Sequence, residues 1–149
     1  MTTLITGGAS QTGLALARRL VASSHPVLFG TRTKPAPASL GPSVKFDWND
    51  PSTFPNPFDA SSDIQNVYLL GPTATVDPLP KMQPFIDLAV KKGVKKFVLL
   101  SSTVAPKGPS SHELGRVHTY LESLGVDYVA LRPTWFIGKT GARMSWIAH

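Results

Sequence analysis

Near the N-terminus a short apolar run, Leu4-Ile5, passes through Thr6-Gly7-Gly8-Ala9-Ser10-Gln11-Thr12-Gly13 into a stretch with helical spacing, Leu14-Ala15-Leu16-Ala17. A strand that feeds a glycine-spaced turn and then a helix strongly limits the fold that can follow. Turn residues without Cβ let backbone N–H groups at the helix start approach an anion, and the helix's partial positive end favours that anion. In open α/β sheets this junction cradles the pyrophosphate of a dinucleotide. The candidate phosphate-binding residues are Gly7, Gly8, Ser10, Gln11, Thr12 and Gly13. Their spacing, Gly7-x-x-Ser10-x-x-Gly13, departs from G-x-G-x-x-G, with a serine in place of the central glycine. Ser10 fits the role if its N–H faces the phosphate.

The chain of 149 residues suits a single domain, and its 42% hydrophobic and 16% charged residues argue against general disorder. It has no run of the roughly 20 apolar residues that a membrane helix needs, and its start lacks the basic flank and apolar core of a secretory signal. A cytoplasmic address and no membrane partner are expected. With no cysteine, disulfides, thiolate zinc sites and thiol nucleophiles are excluded, and His25, His112, His118 and His149 show no ligand spacing, so no metal is expected. The net charge of +6 could suit nucleic acid, but the basic residues are dispersed. Their one cluster, Lys91-Lys92 with Lys95-Lys96, reads as a solvated complement to helix C-terminal carbonyls, so no nucleic-acid partner is expected.

Beyond the first turn, strands and helices alternate. Leu14, Ala17, Leu20 and Val21 predict a helix from Gln11 or Thr12 to Ser23, stopped by His25-Pro26. Strands are expected over 27–30, 44–46, 67–70, 97–100 and 128–131, and helices over 80–92 and 111–124, with a loop and one helical turn after Asp47. The helix over 80–92 presents Phe85, Leu88 and Ala89 on one face. The unalternating run Phe97-Val98-Leu99-Leu100 implies a sheet covered on both faces. The expected fold is α/β, a doubly wound parallel sheet of Rossmann-like type in a single domain over 1–137, with a divergent tail at 138–149.

In such a sheet, ligands lie beyond the carboxyl ends of the strands. Gly7 to Gly13, Arg32, Asp47-Trp48, Gly71-Pro72 and Ser101-Ser102 all fall at those ends. Arg32 follows the second strand, where an acidic residue would bind the ribose 2′-hydroxyl of NAD, and no Asp or Glu precedes Asp47. An arginine pairs instead with a 2′-phosphate, so NADP is the expected cofactor, unless Arg32 is simply a surface residue. Lys34 either assists it or is solvated.

The Asp47 carboxylate could accept from the adenine amine with Trp48 beside it, or Trp48 could pack in the core. Gly71-Pro72-Thr73 either brings backbone to the ribose and nicotinamide or forms an ordinary turn. Ser101 and Ser102 either aim a hydroxyl at nicotinamide or substrate or simply open a turn. The Tyr-x-x-x-Lys pair that supplies a proton in many reductases is missing: Leu124 follows Tyr120, Arg132 follows Tyr128, and no lysine lies between Lys107 and Lys139. No catalytic proton donor is named. His112 and His118, six residues apart, read as surface residues.

The landmarks Ile5-Thr6-Gly7-Gly8, Thr12-Gly13, Phe46-Asp47-Trp48, Phe97-Val98-Leu99-Leu100-Ser101-Ser102, Gly115-Arg116-Val117-His118 and Leu131-Arg132-Pro133-Thr134-Trp135-Phe136 resemble the NmrA-like atypical short-chain dehydrogenase/reductases. Within that group, they resemble the fungal ergot alkaloid reductases. The resemblance covers residue 1 to about residue 137 and implies NADPH-dependent hydride transfer to an iminium carbon of an indole alkaloid intermediate, a small-molecule substrate. It also implies a substrate-covering region beyond this chain's length, so a truncated product is expected, with Trp135, Phe136, Trp146 and Ile147 as an exposed apolar patch. A non-catalytic NADP-binding regulator and an inactive fragment are the alternatives.

Overall fold

The protein's structure is a computed structural model, and the residues it describes are 1–72, 75–102 and 114–133. Thr73, His112, Trp135, Phe136 and the tail at 138–149, with Trp146 and Ile147, lie outside the described residues.

Six strands form one parallel sheet: β1 (Thr2–Thr6), β2 (Val27–Thr31), β3 (Ser43–Lys45), β4 (Ile64–Leu70), β5 (Lys96–Leu100) and β6 (Asp127–Leu131). Their order across the sheet is β3-β2-β1-β4-β5-β6. The chain winds outward from β1 to β3, then crosses back to β4 and winds the other way. The reversal falls between β1 and β4, the point at which open α/β sheets bind ligands. The expected doubly wound parallel sheet is therefore the fold observed.

The alternation of side chains along each central strand builds two cores. Leu4, Val67, Leu69, Phe97 and Leu99 face one side, where they meet Met82, Phe85, Ile86 and Ala89 of α3 (Leu79–Lys91) and Val117 and Leu121 of α4 (Leu114–Ser123). Ile5, Phe29 and Tyr68, with Leu70, Val98 and Leu100, face the other side, where Ala17 and Leu14 of α1 (Gln11–Ala22) pack. Phe29, Phe85 and Phe97 are fully buried. Each contributes roughly 2–3 kcal/mol by leaving water.

The weaker stretch between β3 and β4 holds a 3₁₀ turn at Pro51–Thr53 and a five-residue helix, α2 (Asn56–Ala60). β3 is only three residues long and ends before Phe46, whose ring turns instead into an aromatic cluster with Trp48, Phe54 and Phe85. The strand expected at 44–46 is found one residue earlier, at 43–45, and the Phe46 N–H still donates to the Thr31 carbonyl at 2.9 Å while its ring packs in the cluster. Val21, expected on the packed stripe of α1, is 38% exposed. Among the described residues no helix is long and apolar enough to cross a membrane.

Candidate functional site

At the end of β1, Thr6 is buried and ties the strand to β4 where the order reverses. Its hydroxyl accepts the Leu70 N–H at 2.9 Å and donates to the Tyr68 carbonyl at 3.0 Å. Gly7 follows with φ of +65°, and a Cβ on it would stand 2.5 Å from Leu70 Cδ2. A Cβ on Gly8 would stand 2.5 Å from Phe29 Cδ1. The turn therefore passes between β4 and β2 only because neither residue carries a side chain.

Ser10 departs from the expectation. Its N–H donates to the Gly7 carbonyl at 2.9 Å, closing the turn, so that N–H does not face a phosphate. Its hydroxyl accepts the Gly13 N–H at 3.0 Å and caps α1. A serine here supplies a helix cap that a glycine could not. The first-turn donors left for an anion are the backbone N–H groups of Gln11 and Thr12, which have no carbonyl four residues back within the helix. Gly13 itself is buried against Ile5, where α1 crosses β1.

A cleft of about 330 Å³ opens over these strand ends. Gly7, Gly8 and Ser10 line it after β1, Arg32 and Lys34 after β2, Asp47 and Trp48 beyond β3, and Gly71 and Pro72 after β4. Gln11, Thr12, Gly13, Ser101 and Ser102 are not part of its lining. Arg32 and Lys34 are exposed, and among the described residues neither forms an ion pair. Lys45 Nζ donates to the Arg32 carbonyl at 2.8 Å, which fixes the backbone there and leaves the guanidinium open.

Asp47 Oδ1 accepts the Asn49 N–H at 2.9 Å in a local turn. Oδ2 takes no part in that bond. Trp48 serves as packing and wall together: its ring lies 4.8 Å from Phe46 and 5.5 Å from Phe85, centroid to centroid, and its indole N–H donates to the Leu70 carbonyl at 2.9 Å. Trp48 thus belongs to the aromatic cluster and also lines the cleft.

The β5 end corrects one expectation. His118 is not a surface residue: it is 5% exposed, and its Nε2 lies 2.9 Å from the Oγ of Ser101, itself 6% exposed. On α4 the buried positions are Gly115, Val117, His118 and Leu121, so His118 sits in the packed stripe, three residues before Leu121. That spacing to Leu121 is the sequence signal for its burial. The Ser101 hydroxyl is turned to α4 rather than to the cleft.

Two tyrosines carry raised pKa values without a place in the cleft. Burial pushes the Tyr68 phenol above its ordinary value, against a hydrogen bond with Thr12. For Tyr120, desolvation acts first and the adjoining Asp87 carboxylate second, with the Tyr120 hydroxyl donating to Asp87 across α3 and α4. Among the described residues no group of acidic and histidine side chains is placed to hold a metal ion.

No protein-family model matches the chain. Festuclavine synthase I of Penicillium roqueforti is 43% identical over 143 residues, covering 92% of this chain and 48% of that protein. Agroclavine dehydrogenase of Claviceps purpurea is 38% identical over 140 residues, covering 92% of this chain and 47% of that protein. Among solved structures, UDP-glucose 4-epimerase of Thermus thermophilus, in complex with NAD, superposes with a TM-score of 0.68 at 17% identity, over 89% of this chain and 54% of that one. At that identity the superposition speaks for the fold. The chain spans about half the length of the curated relatives it matches. It is thus a homologue of the festuclavine synthases and agroclavine dehydrogenases, the group its sequence resembles, carried on a Rossmann-like fold.

Proposed function

We propose that the cleft holds NADP(H) and that the protein takes part in hydride transfer to the iminium carbon of an indole alkaloid intermediate. In this reading the pyrophosphate lies at the Gly7–Gly13 turn, against the Gln11 and Thr12 N–H groups. Arg32, with Lys34 near it, takes the 2′-phosphate, the free oxygen of Asp47 meets the adenine amine, and Gly71-Pro72 lies along the nicotinamide ribose. The observation that carries the reading is the pair of cations after β2, which face the same cleft as the glycine turn and have no carboxylate partner among the described residues. A carboxylate there would favour the 2′-hydroxyl, whereas an open guanidinium favours the 2′-phosphate.

The chemistry asks little of acid–base groups. The hydride forms a C–H bond at a carbon that is already electrophilic, the C=N π pair settles on nitrogen, and NADPH becomes NADP⁺. No proton is needed at the accepting carbon, which agrees with a site built for positioning and exclusion of water. The names of the relatives support the substrate class. A cytoplasmic setting, where NADPH is held reduced, goes with this reading.

Titration of the purified protein with NADP⁺ and NAD⁺, followed by NADPH oxidation with a cyclic iminium alkaloid, tests it. Tighter binding of NADP⁺ and turnover are expected. No binding of either dinucleotide would sink the proposal, and binding without turnover would assign a non-catalytic, NADP-responsive role.

A further inference from the structure

We infer that His118 is a positioning residue which, through Ser101, fixes the end of β5, which lies outside the cleft lining on the side toward which the nicotinamide half of the dinucleotide extends. The inference rests on the dinucleotide reading above. The strand order decides which half lies where. With the pyrophosphate at the turn after β1 and the 2′-phosphate at Arg32 after β2, the adenosine half extends toward β2. The other half must then extend toward β4 and β5. Neighbouring strands are about 4.8 Å apart, so the β5 end stands roughly 10 Å from the turn, within reach of one nucleotide half.

Among the described residues, these contacts hold the chain at that end. The Ser101 N–H donates to the Leu131 carbonyl at 2.8 Å, Arg132 Nε donates to the Ser102 carbonyl at 3.3 Å, and His118 Nε2 meets Ser101 Oγ at 2.9 Å. The first two come from β6 and the residue after it, inside the same sheet. The third comes from a different layer, α4, and it is buried on both sides. Pinning Ser101 from α4 sets the height of the Ser101-Ser102 step above the sheet. Ser102 follows Ser101 directly, so a shift of one moves the other. Leu114 and Arg116 of the same helix reach the β4 side: a Cβ on Gly71 would lie 3.2 Å from Leu114, and Arg116 pairs with Asp77. One helix thus braces the two strand ends that border the nicotinamide half.

The test compares affinities for NADP⁺ and for 2′-phospho-ADP-ribose, which lacks the nicotinamide, by calorimetry. His118→Leu should weaken NADP⁺ about tenfold, the size of one buried hydrogen bond, and leave 2′-phospho-ADP-ribose unchanged. His118→Gln should restore most of the loss, because its amide can still reach the hydroxyl. Ser101→Ala should reproduce the selective loss, and the double variant should add nothing to it. If His118→Leu does not fold, Ser101→Ala alone decides. An equal loss for both ligands, or no loss, overturns the positioning role. A wild-type protein that binds neither ligand overturns the dinucleotide reading first, so the two failures are distinct.

Discussion

The two ends of the sheet treat their polar side chains in opposite ways. On the β1–β3 side, Arg32 and Lys34 stand open beside a turn whose backbone is bare at Gly7 and Gly8. On the β4–β6 side, polar groups are already engaged: Ser101 with His118, Arg116 with Asp77, Tyr120 with Asp87, and Arg132 with the Ser102 carbonyl. A polar residue at a strand end is a ligand group when the fold has given it no partner, and a positioning group when it has. Placement in the sequence does not separate the two cases, because both kinds follow an apolar strand in the same way.

The sharpest way to break this comparison is to put bulk into the bare turn. Gly8→Val places atoms where Phe29 already stands, and such overpacking costs about 1–3 kcal/mol. For a chain of this length that lowers Tm by roughly 3–10 °C, and dinucleotide binding should be lost altogether. Thermal unfolding and titration check both parts. Retained binding would mean that the turn is not the pyrophosphate site. Next in size is the open cation. Arg32→Ala should weaken NADP⁺ by about 10- to 100-fold, the range for charge-assisted hydrogen bonds, with NAD⁺ affinity unchanged. A parallel fall for both would remove Arg32 from the 2′-phosphate.

Ser10 tests the boundary between open and engaged groups, because it lines the cleft while its own N–H and hydroxyl are spent within the turn. Ser10→Ala should cost about 1 kcal/mol as a lost helix cap, read as a lower denaturation midpoint, with little change in dinucleotide affinity. A loss of affinity without loss of stability would return Ser10 to the phosphate.

Much of the fold was legible because its signals were local. Phe97 to Leu100 announced a doubly covered strand, and the stop at His25-Pro26 lies close to the end of α1 at Ala22. β3 and α2 were indistinct because they depend on distant partners: Phe46, just past β3, packs its ring against Phe54 and Phe85. At the site, the glycine turn and Arg32 could be read, since each depends on one strand end. The inward turn of the Ser101 hydroxyl could not, because its cause is His118, 17 residues away on another layer. The hydroxyl of Ser10 was open to the same error, a cap being invisible until the helix start is fixed.

The smallest effect concerns Tyr68, which lies on β4 between the two ends and is engaged though not in the cleft. Burial raises its phenol pKa in the folded state, so the folded protein holds that proton more tightly than the unfolded chain does. The contribution to stability is fully present below the unfolded tyrosine value of about 10, and it is lost as pH rises through the higher folded value. Urea midpoints should therefore fall more steeply on the alkaline side for the wild type than for Tyr68→Phe, which has no proton to lose there. Equal slopes would mean that the phenol is as well hydrated folded as unfolded, and Tyr68 would then belong with the open groups of the cleft rather than with the engaged ones.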